Sequence, residues 1–177
     1  MRIATERTKM AMPETNIGLF PDVGGGFFLG RCPGHLGEYL ALTGHMLNGA
    51  QAVHAGLADG VLASDKQRDL WDSLQTLSRP DPHAVRAWIG EHLQTSVATS
   101  IAPAGAVDRF FGLPTVGAIV HALEAVAASD PWARDTAAAL RKRSPLMLHV
   151  ALEQVRRGRT LDIADDLRME RDLVRHS

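Results

Sequence analysis

Apolar residues recur at helical spacing through the second half of the chain. The first such set comprises Leu70, Trp71, Leu74 and Leu77. Because these positions lie three or four residues apart, they predict one amphipathic helix. Ser64, followed three residues later by Gln67, has the form of a capping box at the start of that helix. Residues 63–177 are therefore predicted to form a helical region.

Proline and glycine mark the ends of the later helices. Three pairs place an N-cap residue directly before a proline at the first helical position: Asp81-Pro82, Asp130-Pro131 and Ser144-Pro145. The helix after Ser144 is predicted to end at Gly158, and Thr160 is predicted to open the last helix.

The first part of the chain shows shorter elements. Residues 1–62 contain 11 of the 16 glycines. The patterns predict strands at 2–5, 8–12 and 60–62, and short helices at 27–31, 35–42 and 50–55. Gly44 and Gly56 follow the second and third of these helices as stop signals. We therefore divide the chain into two regions, residues 1–62 and residues 63–177.

Composition and charge limit the class of protein. The chain has 177 residues, of which 45% are hydrophobic and 22% charged, as in a soluble globular domain of ordinary size. The net charge of −1 gives no general attraction to nucleic acid or anionic lipid, so we expect neither as a partner. Residues 1–14 carry charges throughout, unlike a signal peptide, and the most apolar stretch is too short to span a bilayer. These features favour a soluble, cytoplasmic protein.

Cysteine, histidine and the basic runs give weak signals. Cys32, the one cysteine, excludes a disulfide within the chain and a multi-cysteine zinc site. A buried hydrophobic role fits Cys32 better than a nucleophile activated by His35 or His54. The eight histidines form no metal-binding motif, so no metal is expected. The basic runs at 141–143 and 156–159 suit phosphate binding or, equally well, a solvated helix face.

Residues 12–26 place two carboxylates, Glu14 and Asp22, in an apolar and glycine-rich loop. Carboxyl groups buried among apolar side chains have raised pKa values, which suits acid–base chemistry. A purely structural interpretation of the two residues stays open at this point. In that interpretation Glu14 is an exposed loop residue, and Asp22 caps the helix that follows the triplet 24–26.

The sequence over residues 10–62 resembles the central segment of the crotonase (enoyl-CoA hydratase/isomerase) superfamily. Its P-E at Pro13-Glu14 and its later L-T-G at Leu42–Gly44 are features that the superfamily shares. The run F-P-D-V-G-G-G-F-F-L, with an acidic residue and a third glycine, resembles more narrowly the 3-hydroxyisobutyryl-CoA hydrolase branch. LRKRSPL at 140–146, QVRRGRTL at 154–161 and Met169-Glu170 agree with that branch. The segment 58–61 departs from the branch's usual threonine-histidine.

The resemblance implies an α/β crotonase-like fold, the β-β-α spiral shared with ClpP. This chain would be a C-terminal fragment of it, mostly α-helical with a few short strands. Residues 1–62 would be the C-terminal part of the spiral core that carries the two motifs. Residues 63–177 would be the helical C-terminal region, through which family members form oligomer contacts, so the resemblance implies a homo-oligomer.

The resemblance also implies an activity, the hydrolysis of an acyl-CoA thioester, with 3-hydroxyisobutyryl-CoA from valine breakdown as the substrate. Glu14 matches the catalytic glutamate of the P-E motif, and Asp22 matches the second carboxylate that is special to the hydrolases. Glu14 would act as general base on water or as nucleophile forming a mixed anhydride, and Asp22 would orient or protonate. No metal or redox cofactor is implied, since coenzyme A is part of the substrate.

Two other functions stay open. A hydratase or isomerase of the same fold would use Glu14 on an α,β-unsaturated thioester. An inactive fragment would act only in subunit contacts. Family members polarise the thioester carbonyl with two backbone N–H groups from upstream segments that these 177 residues do not contain. We therefore expect the isolated chain to be inactive.

Overall fold

The computed structural model describes residues 1–75, 81–95 and 99–176. These residues form two compact units: Met1–Met10 with Leu47–Ile101, called here the first unit, and Ala11–Met46 with Ala102–Ser177, called the second unit. Each unit combines two separate stretches of chain. The predicted division into residues 1–62 and 63–177 separates two consecutive stretches of sequence, and it stays a prediction.

The elements are short strands and ten helices within the described residues. The strands are β1 (Ile3–Ala4), β2 (Lys9–Met10), β3 (Leu47–Asn48) and β4 (Gly60–Val61). The helices are α1 (Gly25–Gly30), α2 (Leu36–Thr43), α3 (Gly49–His54), α4 (Gln67–Leu74), α5 (Pro82–Glu91), α6 (Ala106–Phe111), α7 (Val116–Val126), α8 (Pro131–Arg141), α9 (Pro145–Gly158) and α10 (Ile163–Arg175). Two 3-10 turns cover Glu14–Ile17 and Ser64–Lys66. The prediction of a mostly helical chain with a few short strands is confirmed.

The first unit contains all four of these strands in two separate pairs. β1 pairs with β4 in parallel, with Ile3 opposite Gly60, and β2 pairs with β3 antiparallel, with Met10 opposite Leu47. Apolar side chains pack beside the strands in two small clusters. One cluster contains Ala4, Ala52 and Ala58, and the other contains Leu62, Leu70 and Leu93.

Helix starts test the capping predictions directly. Asp81, Asp130 and Ser144 each accept a hydrogen bond from a backbone N–H of the first turn of their helix, as predicted. The predicted capping box of Ser64 and Gln67 is wrong. The amide and the hydroxyl of Ser64 instead bond the carboxylate of Glu6, which is distant in sequence.

Two other helix starts differ from prediction, and one predicted helix residue cannot be compared. A capping box occurs at Asn48 and Gln51, where the amide of Gln51 donates to the Asn48 side chain at 2.9 Å and the amide of Asn48 donates back at 3.0 Å. The last helix is capped by Asp162 rather than opened by Thr160, because the Asp162 carboxylate accepts from the Asp165 amide at 2.8 Å. Leu77, assigned to the helix after Ser64, lies outside the described residues.

The second unit consists mainly of helices that bury apolar side chains. Its largest fully buried side chains include Leu29, Leu42, Phe110, Phe111, Ile119, Leu123, Leu140 and Val155. α9 packs against both α1 and α2. Gly158 makes the close approach of α1 and α9 feasible, because a Cβ atom there would overlap the backbone of Gly26. This contact fixes α1, and with it the preceding loop, against α9.

No helix in the described ranges is both long and apolar enough to cross a bilayer.

Candidate active site

Glu14 begins the 3-10 turn Glu14–Ile17 in the second unit. The carbonyl oxygen of Glu14 accepts hydrogen bonds from the amides of Gly18 and Leu19, which closes the turn. Gly18 ends the turn with a φ of +77°, a left-handed conformation that glycine adopts without strain. The buried Thr15 hydroxyl donates to the carbonyl of Leu42 at 3.3 Å and ties the turn to the C-terminal end of α2. The backbone of Glu14 is therefore held in place.

The carboxyl group of Glu14 lies in a different environment from its backbone. The side chain is partly buried, and its Oε2 atom is fully buried without a hydrogen-bond partner among the described residues. Burial raises the pKa of Glu14 above its ordinary value, and the nearby charge of Asp22 raises it further. A carboxylate with unused acceptor capacity and a raised pKa is suited to accept a proton. The alternative of an exposed Glu14 does not fit.

Asp22 precedes α1 and does not cap it. The N-cap residue of α1 is Gly24, which has no side chain to cap with, so the capping alternative for Asp22 is excluded. The half-buried Asp22 contributes its backbone carbonyl, which accepts from the amide of Gly25 at 2.9 Å. Its carboxyl group therefore has no role in helix capping. Asp22 lies near enough to Glu14 for its charge to raise the pKa of the Glu14 carboxyl group.

The backbone after Asp22 adopts a strained turn. Val23 has a φ of +51°, which β-branched residues rarely adopt, and Gly24 follows at +88°. A non-glycine residue in this conformation costs on the order of 1–3 kcal/mol and persists only where its surroundings impose it. The strain therefore requires contacts that hold the loop.

Those contacts come from α9 and α10. Gln154 on α9 donates through Nε2 to the carbonyl of Pro21 at 2.5 Å. Glu170 on α10 accepts from the amide of Gly24 at 2.9 Å and from that of Gly26 at 3.5 Å. Both residues fall in segments that resemble the hydrolase branch, at 154–161 and 169–170, but the local pattern predicts no role for either. Their distance of more than 130 residues from the loop explains why no local pattern shows the contact.

Two exposed apolar side chains flank the carboxylates. Ile17 is 81% exposed in the turn of Glu14, and Val23 is 75% exposed directly after Asp22. Large apolar side chains at such exposure next to buried carboxyl groups are suited to contact an apolar ligand or another polypeptide segment.

The other candidates have structural roles. Cys32 is buried in agreement with its prediction as a small hydrophobe, and its thiol lies 3.8 Å from the carbonyl of Phe28. Within the two basic runs, Arg141 forms a bidentate pair with Glu124, and Nη2 of Arg159 contacts both carboxylate oxygens of Glu38. The ranges described here contain no cluster of three side chains suited to a metal ion.

The comparisons with known proteins cover nearly the whole chain. A family model described as enoyl-CoA hydratase/isomerase matches residues 1–177. The chain is 37% identical over 180 residues to probable 3-hydroxyisobutyryl-CoA hydrolase 3 of Arabidopsis thaliana, covering 99% of this chain and 48% of the relative. It is also 36% identical over 168 residues to small ribosomal subunit protein mS47 of the same plant, covering 91% of this chain and 41% of that protein. The chain spans about half the length of the relatives it matches.

A third relative corrects one expectation. The 3-hydroxyisobutyryl-CoA hydrolase of Dictyostelium discoideum, named mitochondrial, is 36% identical over 179 residues, covering 99% of this chain and 47% of that protein. The chicken relative is also named mitochondrial. The expectation of a cytoplasmic location is therefore wrong. The cytoplasmic expectation relied on the lack of a secretory signal pattern in residues 1–14. That lack does not argue against a mitochondrial location.

A solved structure supports the fold. The crystal structure of a carnitinyl-CoA dehydratase from Mycobacterium thermoresistibile superimposes with a TM-score of 0.83 at 38% identity, covering 96% of this chain and 48% of that one. The crotonase-like fold predicted from the resemblance is thereby confirmed. Since the family model matches from the first residue to the last, the chain belongs to the enoyl-CoA hydratase/isomerase family and resembles its 3-hydroxyisobutyryl-CoA hydrolases.

Proposed function

We propose that this chain supplies the two carboxyl groups of an acyl-CoA thioester hydrolase that acts on 3-hydroxyisobutyryl-CoA. The observation that carries the proposal is the Glu14 carboxylate, whose buried Oε2 has no hydrogen-bond partner among the described residues. The names of the relatives support the substrate class. The reaction would belong to valine breakdown and would need no metal or redox cofactor, with coenzyme A entering as part of the substrate.

The chemistry follows from the positions of the two carboxylates. Glu14 takes a proton from water, and the oxygen of that water attacks the thioester carbonyl carbon. The tetrahedral intermediate then collapses, the bond from carbon to sulfur breaks, and the departing thiolate receives a proton. The products are the free hydroxy acid and coenzyme A. Asp22 orients the water or supplies the proton to the sulfur, in agreement with its place beside Glu14.

The reaction type can be tested in a hybrid enzyme. The N-terminal half of the Arabidopsis relative is joined to this chain, and two reactions are followed in parallel. We expect release of free thiol from 3-hydroxyisobutyryl-CoA to exceed the addition of water to crotonyl-CoA. Dominant water addition would identify a hydratase instead. For variants that remove the charge of Glu14 or Asp22, Glu153→Gln serves as a matched control. It removes one negative charge from an exposed side chain on α9.

A structural role in an assembly is the second candidate. It is favoured by the similarity over 91% of this chain to a protein named as a ribosomal subunit component. Because the similarity extends over most of this chain, the fold itself does not distinguish an enzyme from an assembly subunit. Turnover by the hybrid enzyme would separate the two.

We further propose that the isolated 177-residue chain has little or no hydrolase activity and self-associates. Each missing oxyanion donor typically costs about 10²–10³ in turnover, and the unpaired strand edges of the first unit favour association. The helical C-terminal region would supply contacts between copies, giving a homo-oligomer. Light scattering and an assay for free coenzyme A test both points. A monodisperse monomer with turnover of about 1–10³ s⁻¹ would contradict them.

A further inference from the structure

We propose that Glu170 is a positioning residue for the reaction and that it acts, together with Gln154, by holding the loop that carries Asp22. The inference rests on the proposed function, because it treats Asp22 as a working carboxyl group. It extends that function to α9 and α10, which lie far along the chain from both carboxylates of the site.

The bonds of Gln154 and Glu170 bracket Asp22. Before it, the carbonyl of Pro21 accepts from Gln154 at 2.5 Å. After it, the amide of Gly24 donates to Glu170 at 2.9 Å. Gln154 also donates to Glu170 at 3.2 Å, so the two side chains form one connected unit. Both side chains are at least 96% buried, which makes these bonds stronger than exposed ones.

The strained backbone explains why the loop needs this support. Val23 at a φ of +51° lies between the two tethered positions. If the bond from Gly24 to Glu170 were lost, Val23 would relax toward an ordinary conformation. Because Val23 follows Asp22 directly, such a relaxation would displace the Asp22 carboxylate from Glu14. Support from α10 is therefore coupled to the geometry of the site.

Asp166 completes this buried cluster. Its side chain is fully buried, and no N–H or O–H donor in the described part of the chain reaches either oxygen of its carboxyl group. It neighbours Glu170, so the two carboxyl groups form a buried acidic pair. Burial, and then the neighbouring Asp166, raise the pKa of Glu170. A carboxyl pair of this kind is costly, which argues for a role beyond packing.

Hydrogen exchange measured by mass spectrometry on the full 177-residue chain tests the proposal. The peptide of residues 20–27 reports on the loop, and the peptide of α7 reports on the rest of the second unit. In Glu170→Gln we expect the amides of Gly24 and Gly26 to exchange at least about tenfold faster, because a charge-assisted bond is lost. The α7 peptide and the control Glu153→Gln should match the parent.

Gln154→Met is the second variant, because it removes the bond to Pro21 at nearly constant volume. Faster exchange confined to the loop in either variant supports the proposal. Unchanged loop exchange in both overturns it. Faster exchange of α7 in both also overturns it, since the cluster would then only stabilise the fold.

A titration of Glu14 separates positioning from mere stabilisation. The charge of Asp22 contributes to the raised pKa of Glu14. Carboxyl carbon NMR should therefore find a lower pKa for Glu14 in Glu170→Gln, and no further change when Glu170→Gln is added to Asp22→Asn. An equal shift in both backgrounds would reject the link through Asp22. Neither measurement uses turnover, so a failure of the hydrolase proposal would leave both results interpretable.

Discussion

Two glutamates of the second unit, Glu14 and Glu38, differ in how their charges are compensated. Glu38 on α2 is fully buried, and Arg159 binds both of its carboxylate oxygens at 2.8 and 2.7 Å. The ring of His35 contacts the same carboxylate at 3.1 Å. Glu14 has one buried oxygen without a partner among the described residues. A paired buried carboxylate contributes to the fold, whereas an unpaired one costs stability and is available for chemistry.

Glu14→Gln gives the largest expected effect. In the hybrid enzyme we expect turnover to fall about 10²–10⁴-fold, because the amide cannot accept the proton of water. The raised pKa means that the folded chain binds this proton more tightly than the unfolded chain. The charged form therefore costs stability above that pKa, and the midpoint of thermal unfolding should stay unchanged or rise.

Equal turnover of Glu14→Gln and the parent would remove Glu14 from the mechanism. A large fall in the unfolding midpoint would instead assign Glu14 to the same structural class as Glu38. Kinetic assays and thermal unfolding of the same preparations decide between these outcomes.

Glu38→Gln should show the opposite behaviour. Removing the charge leaves the guanidinium of Arg159 without its partner, and we expect the free energy of unfolding to fall by about 2–4 kcal/mol. The lower part of the usual range applies because the Arg159 side chain remains one-third exposed. Urea unfolding measures this change. If stability were unchanged while turnover fell, the distinction between the two glutamates would fail.

Asp22→Asn should have a smaller effect on turnover than Glu14→Gln, about 10²-fold or less, because Asp22 orients or protonates rather than attacks. It also removes a negative charge that raises the pKa of Glu14. The acid limb of kcat/KM, which follows ionisation of Glu14, should therefore move to lower pH in this variant. A shift to higher pH would mean that the limb reports another group.

The local sequence patterns predicted the family, the mostly helical fold with few strands and the starts of three later helices, all of which are confirmed. The roles of Glu14 and Asp22 stay predictions. Asp81, Asp130 and Ser144 cap their helices as expected, because a cap depends on residues within one turn. Ser64 broke this rule because Glu6, distant along the chain, competes for its amide and hydroxyl. A helix cap can therefore be predicted from local sequence only where no residue distant in the chain competes for its hydrogen bonds.

The tertiary structure alone decided which carboxylates are paired. Asp22 sits where a cap would be placed, yet Gly24 takes that position because α10 supplies a carboxylate to its amide. Glu38 and Glu14 carry the same side chain, and the main difference between them is Arg159, which reaches Glu38 from the end of α9. The partners of these groups lie more than 100 positions away in the sequence. A local pattern of side chains therefore does not show which carboxylate is paired.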